Sequence, residues 1–164
     1  MDIMQRRAAL LGSLKRDNVA YEAYNLSFDG TNSTVIDTGV YLFTAENINR
    51  DFEFVAEGII GVDEANNTIV CAKKNAGAYG FLIRVQDSSS VNYNGTLYAW
   101  PVPASIVVRR INGQLSASGI NNPTVALTNN VFDWPLVLGC AINDDGTLYR
   151  FKRGTIDHVK VTWL

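Results

Sequence analysis

Residues 144–164 read DDGTLYRFKRGTIDHVKVTWL, and this stretch decides the fold. From His158 onward, Val159, Val161 and Trp163 fall on one side and His158, Lys160 and Thr162 on the other. A period of two is that of a β-strand with one buried face. Ile156 is out of phase with this set, which predicts a bulge near Asp157 if Ile156 is also buried. Just upstream, Asp145-Gly146 is an Asx-Gly pair, which tolerates the positive φ of a tight hairpin.

The same signals recur outward from this stretch. Within residues 51–57, Phe52, Phe54 and Ala56 alternate with Glu53, Val55 and Glu57. Phe81, Ile83 and Val85 share one face, with Leu82 and Arg84 on the other. Residues 105–111 are rich in β-branched side chains, and strand geometry sends Arg109 and Arg110 to opposite faces. Asp29-Gly30, Asn94-Gly95 and Asn112-Gly113 are further hairpin signals. Residues 87–94 (DSSSVNYN) and 116–130, which hold Pro123, read as exposed loops. Many short strands without βα alternation imply an all-β sandwich or barrel.

Helical character is confined to the start. Ile3, Met4, Leu10, Leu11 and Leu14 approximate an apolar stripe flanked by Arg6, Arg7 and Lys15. So short a helix is not stable alone in water. Residues 1–23 are therefore expected to be a helical or extended docking arm, with Met4, Arg6, Arg7, Leu10, Leu11 and Leu14 meeting a partner. Residues 24–164 are expected to form the globular domain. The apolar stretch 8–14 is closed at once by Lys15 and Arg16, so no cleaved secretory leader is expected.

The chain has 164 residues, a net charge of -2, 47% hydrophobic and 18% charged residues. That suits one domain with a single core and excludes a largely disordered chain. The acidic balance argues against nucleic acid as a partner. No apolar run approaches ~20 residues, so no membrane-inserting helix is expected. With so little charge, the polar surface falls to Asn, Ser, Thr and Gly. Cys71 and Cys140 sit in apolar segments and are expected to be two buried thiols.

The order of segments resembles the laminin-G-like, or concanavalin A-like, jelly-roll sandwiches. LSFDGTNSTVIDTGVYLF (26–43) is similar to the first strands of that family, and RDFEFVAEGII (50–60) to a central strand. IVVRRINGQLSASGI (106–120) resembles its paired strands about an Asn-Gly turn. PLVLGCAI (135–142), followed by residues 144–164, resembles its closing pattern. The resemblance implies a two-sheet antiparallel jelly roll over residues 24–164. It also implies functions as varied as lectins, glycoside hydrolases, adhesion modules and viral coat components, so the fold leaves function open.

Retaining hydrolases of this fold would set carboxylates about 5 Å apart on one strand. No Glu-x-Asp-x-Glu string occurs, and Glu53 and Glu57 lie four residues apart with Val55 between them. His158 is the one histidine and is expected on the polar side of its strand, away from any triad. No catalytic residues are assigned, and the chain is expected not to be an enzyme. Relatives by resemblance hold Ca²⁺ at the sandwich rim through oxygen ligands, and Asn143, Asp144 and Asp145 are the candidates here. A plain hairpin turn is the favoured reading of those three residues. No other cofactor is implied.

Sugar recognition would use aromatic platforms, for which Tyr79, Tyr93, Tyr98 and Trp100 are the candidates. Trp134 and Trp163 look like packing residues. Resemblance to stand-alone jelly rolls of bacteriophage particles implies a structural or adhesive virion-surface component, exposed to the extracellular medium. Its expected partners are other virion proteins, further copies of itself in a homo-oligomer such as a trimer, and host-surface glycans. The alternative is a soluble carbohydrate-binding lectin or a divergent glycoside hydrolase of the same fold.

Overall fold

The computed structural model of the chain describes residues 18–59, 67–74, 79–87, 90–93, 96–99, 105–118, 125–126, 131–143 and 145–164. In chain order the strands are β1 (Val19–Asp29), β2 (Ile36–Asp37), β3 (Phe52–Glu57), β4 (Asn67–Lys74) and β5 (Tyr79–Asp87). They continue with β6 (Ser90–Tyr93), β7 (Thr96–Ala99), β8 (Ser105–Ile111), β9 (Gln114–Ser118) and β10 (Val125–Ala126). The last are β11 (Val137–Leu138), β12 (Ala141–Ile142), β13 (Leu148–Tyr149) and β14 (Arg153–Trp163). Sheet A runs β1-β14-β3-β8-β9-β10 and sheet B runs β2-β11-β4-β5-β6-β7, with β12-β13 a separate hairpin. The fold is thus the expected all-β antiparallel sandwich.

Alternation puts the core where the sequence placed it. Phe52, Phe54 and Ala56 are fully buried, as are Val159 and Val161 of β14 and Ile106 and Val108 of β8. Sheet B answers with Ile69, Ile83 and Leu138. Between the sheets the Phe43 ring meets Phe52 edge-on at 6.3 Å and stacks on Phe132 at 5.1 Å. A type I′ two-residue hairpin needs positive φ at both turn positions, and Asn112 (φ 51) with Gly113 (φ 75) supplies it between β8 and β9.

Sheet B is covered on both sides. Val137, Cys71 and Leu82 are in register on β11, β4 and β5 and share the face away from the main core. They pack with Cys140, Ala141 and Ile142, and the β12-β13 hairpin lays Leu148 and Tyr149 against them. Both cysteines are buried and unbridged, and burial followed by the neighbouring Cys71 pushes the Cys140 thiol up to about 12.

Several expectations need adjusting. Ile156 is indeed buried, and the β1-β14 ladder passes from Tyr24↔His158 to Leu26↔Ile156 without pairing Asn25 or Asp157. The interruption is shared by both strands, with Asn25 at φ 54, instead of being one extra residue on β14. Residues 19–23, assigned to the arm, are the first half of β1 and pair with β14. Residues 90–93 and 114–118 are strands, although residues 87–94 and 116–130 read as loops. Their Ser- and Asn-rich sequence is polar, but backbone pairing with β5 and β7, and with β8 and β10, makes them strand.

Candidate functional site

The outer face of sheet A brings together side chains from four strands. Tyr24 on β1, His158 on β14 and Glu57 on β3 are in register, and Ser105 on β8 continues the row. The Tyr24 ring stacks on the imidazole at 4.6 Å between centroids and 13° between planes, yet Tyr24 remains 60% exposed. His158 Nδ1 lies 3.0 Å from Glu57 Oε2, and Nε2 lies 3.1 Å from Glu22 Oε1. The Tyr24 hydroxyl donates to the same Glu22 oxygen at 2.8 Å. Glu22, two residues before Tyr24, shares its face because strand side chains repeat every second residue.

The face continues beyond this cluster. Lys160 stands opposite Glu22, and across β3 the Arg109 guanidinium meets Glu53 at 2.5 Å. Half-buried Val55 and Val107 form an apolar floor between the rows. Exposed ion pairs such as these contribute only about 0–1 kcal/mol each to stability. Their larger effect is to fix rotamers, so the exposed ring and its neighbouring donors and acceptors stand in set positions. Rigid aromatics beside polar side chains suit a ligand with one apolar face and many hydroxyls. Glu53 and Glu57, four residues apart on an extended strand, are separated by about 13 Å, too far for the paired-carboxylate mechanism.

The residues singled out from the sequence lie elsewhere. Tyr79 opens β5, opposite Lys74; Tyr93 closes β6, opposite Ile83; Tyr98 on β7 is opposite Val91. All three are on sheet B, and Trp100 lies outside the described residues. Asn143 and Asp145 flank the β12-β13 turn. The Thr147 amide and hydroxyl donate to Asp145 Oδ1 at 2.9 and 2.6 Å, and the Asn143 side-chain amide donates to Thr147 Oγ1 at 2.9 Å. These bonds hold the Asp145 carboxyl below the usual carboxylate range. Asp144 is outside the described residues, as are Met4, Arg6, Arg7, Leu10, Leu11 and Leu14. Among the described residues no group of three or more His, Cys, Asp or Glu is placed to hold a metal.

The sequence matches no family model and no curated protein. Solved structures do match. One is NanB with Optactamide, with a TM-score of 0.54 at 14% identity. Another is a mutant of the NanB sialidase from Streptococcus pneumoniae, with a TM-score of 0.50 at 12% identity. A third is the leech intramolecular trans-sialidase complexed with 2,7-anhydro-Neu5Ac, with a TM-score of 0.53 at 11% identity. Each alignment covers 88% of this chain and 26% of the other, so the chain spans about a quarter of the length of these structures. Identities this low establish the shared β-sandwich alone.

The match corrects one expectation. Read from sequence, the chain stood apart from enzymes because no carboxylate string was found; the chains that share its fold are a sialidase and a trans-sialidase. The missing string therefore does not separate this sandwich from enzymes.

Proposed function

We propose that this chain is a glycan-binding β-sandwich whose sugar-contact surface is the outer face of sheet A around Tyr24 and His158. The observation that carries the proposal is the exposed Tyr24 ring, held by stacking on an imidazole that two carboxylates from neighbouring strands grip. A pyranose ring packs its C–H face on such an aromatic while its hydroxyls donate to carboxylates. The sialidase match supports a sialic-acid-bearing glycan as the ligand, and its carboxylate suits Lys160, which stands opposite Glu22 beside Tyr24 on the same face. The docking arm expected over residues 4–14 lies outside the described residues, and no comparison supports the virion role that the jelly-roll resemblance implied.

Calorimetric titration with 3'-sialyllactose and with lactose tests this assignment. Tyr24→Ala is expected to weaken sialyllactose binding by at least about tenfold, the scale of a lost binding anchor. Lys160→Gln is expected to weaken sialyllactose and leave lactose unchanged. If Tyr93→Ala or Tyr98→Ala abolished binding while Tyr24→Ala did not, the site would belong to sheet B.

A further inference from the structure

Arg109 and Arg110 end β8 on opposite faces, and their fates differ. Arg109 meets Glu53 on the outer face, while Arg110 turns into the sandwich, in register with the fully buried Phe52 and Leu115. Arg110 is 2% exposed, and its Nε and Nη1 meet no hydrogen-bond acceptor. A guanidinium does not relieve such burial by losing its proton. Buried donors are almost always satisfied, and an uncompensated buried charge is among the costliest features a fold can carry. Burial pushes the Arg110 pKa down, and the carboxylate of Asp51 opposes that only in part. Asp51 is itself committed: its Oδ1 accepts from the Asn112 amide at 2.9 Å.

We propose that Arg110 forms the floor of a small-anion site at this end of the sandwich, where an ion of chloride or formate size sits against the guanidinium. A water molecule would supply an acceptor but would add no negative charge to that of Asp51. This site is on the inner face of sheet A and is independent of the glycan surface on the outer one.

Urea unfolding at fixed ionic strength, with chloride replacing gluconate, reads the site out. Bound anion stabilises the folded chain by mass action. The unfolding equilibrium constant is therefore expected to fall roughly fivefold between about 10 and about 200 mM chloride. Arg110→Gln and Arg110→Met are expected to lose that dependence, and formate should replace chloride. A chloride response equal in native chain and variants, or absent from the native chain, overturns the proposal. Crystals grown in bromide provide a second measurement that needs no variant. An anomalous peak within hydrogen-bond distance of Nε or Nη1 supports the site; a water or no peak there overturns it.

Discussion

Replacing Lys152 with methionine should stabilise the protein at neutral pH. Lys152 is 1% exposed, and its ammonium donates to the Arg153 carbonyl at 2.9 Å and lies 6.0 Å from the centre of the Phe28 ring. Burial lowers its pKa from 10.5 to about 8. A gap of about 2.5 units corresponds to about 3 kcal/mol against the charged, folded form. Lys152→Met removes that cost and loses the hydrogen bond to the Arg153 carbonyl, about 1 kcal/mol. The expected net gain at pH 7 is about 2 kcal/mol.

The sign with pH follows from linkage. Between about 8 and 10.5 the unfolded lysine still holds its proton while the folded one has lost it, so stability rises with pH. Below about 8 the penalty is present in full, and above 10.5 it is gone. The Cys140 thiol, raised to about 12, acts the other way from pH 9 upward, because its folded form keeps a proton that the unfolded form loses. Taking the difference between native chain and variant cancels that contribution. Urea unfolding at pH 7, 8, 9 and 10.5 should show the advantage of Lys152→Met shrinking by about 3 kcal/mol and reversing at the alkaline end. A difference that stayed constant across this range would refute the assignment of a buried, charge-penalised amine.

Other outcomes are as readily checked. Gly139 has φ +86, and a Cβ there would lie 2.5 Å from the Phe28 ring; Gly139→Ala should destabilise the fold by roughly 2–4 kcal/mol in denaturant unfolding. Asp29 accepts from the Thr31 hydroxyl and amide and from the Thr34 and Ser33 hydroxyls, which hold its carboxyl at about 2. The contribution of this turn is present above pH 3.8 and lost as pH falls toward 2, and Asp29→Asn should remove that acid dependence from the stability curve. Both thiols should resist an aromatic disulfide reagent in the native protein and react, two per chain, in guanidinium. Early labelling of either one would contradict their burial.

Strands with one buried face announced themselves, as Phe52, Phe54 and Ala56 and then Val159 and Val161 show, because burial enforces the period of two. Partnership between strands did not. His158 meets Glu57 and Glu22 from 101 and 136 residues away in the chain. Nothing local in either segment reveals that β14 lies between β1 and β3. Local sequence thus does not mark Tyr24 and Glu22, whereas the tyrosines of sheet B stand in loop-like segments. Alternation did show that one of the two arginines in β8 must face inward; it gave no sign that the inward one would lack acceptors. The strands β6 and β9 were hidden for a different reason. Their Ser- and Asn-rich sequences carry little hydrophobic signal, and cross-strand pairing overrides weak intrinsic preference.

The gap in the β1-β14 ladder at Asn25 and Asp157 bears on self-association. Among the described residues β1 is an edge strand, and its eleven residues are long enough to template another chain. The left-handed twist at Asn25 divides it into two short runs that no straight incoming strand follows together. A single residue in an unusual conformation, next to the exposed Tyr24 ring, thus works against amyloid-like stacking along that border.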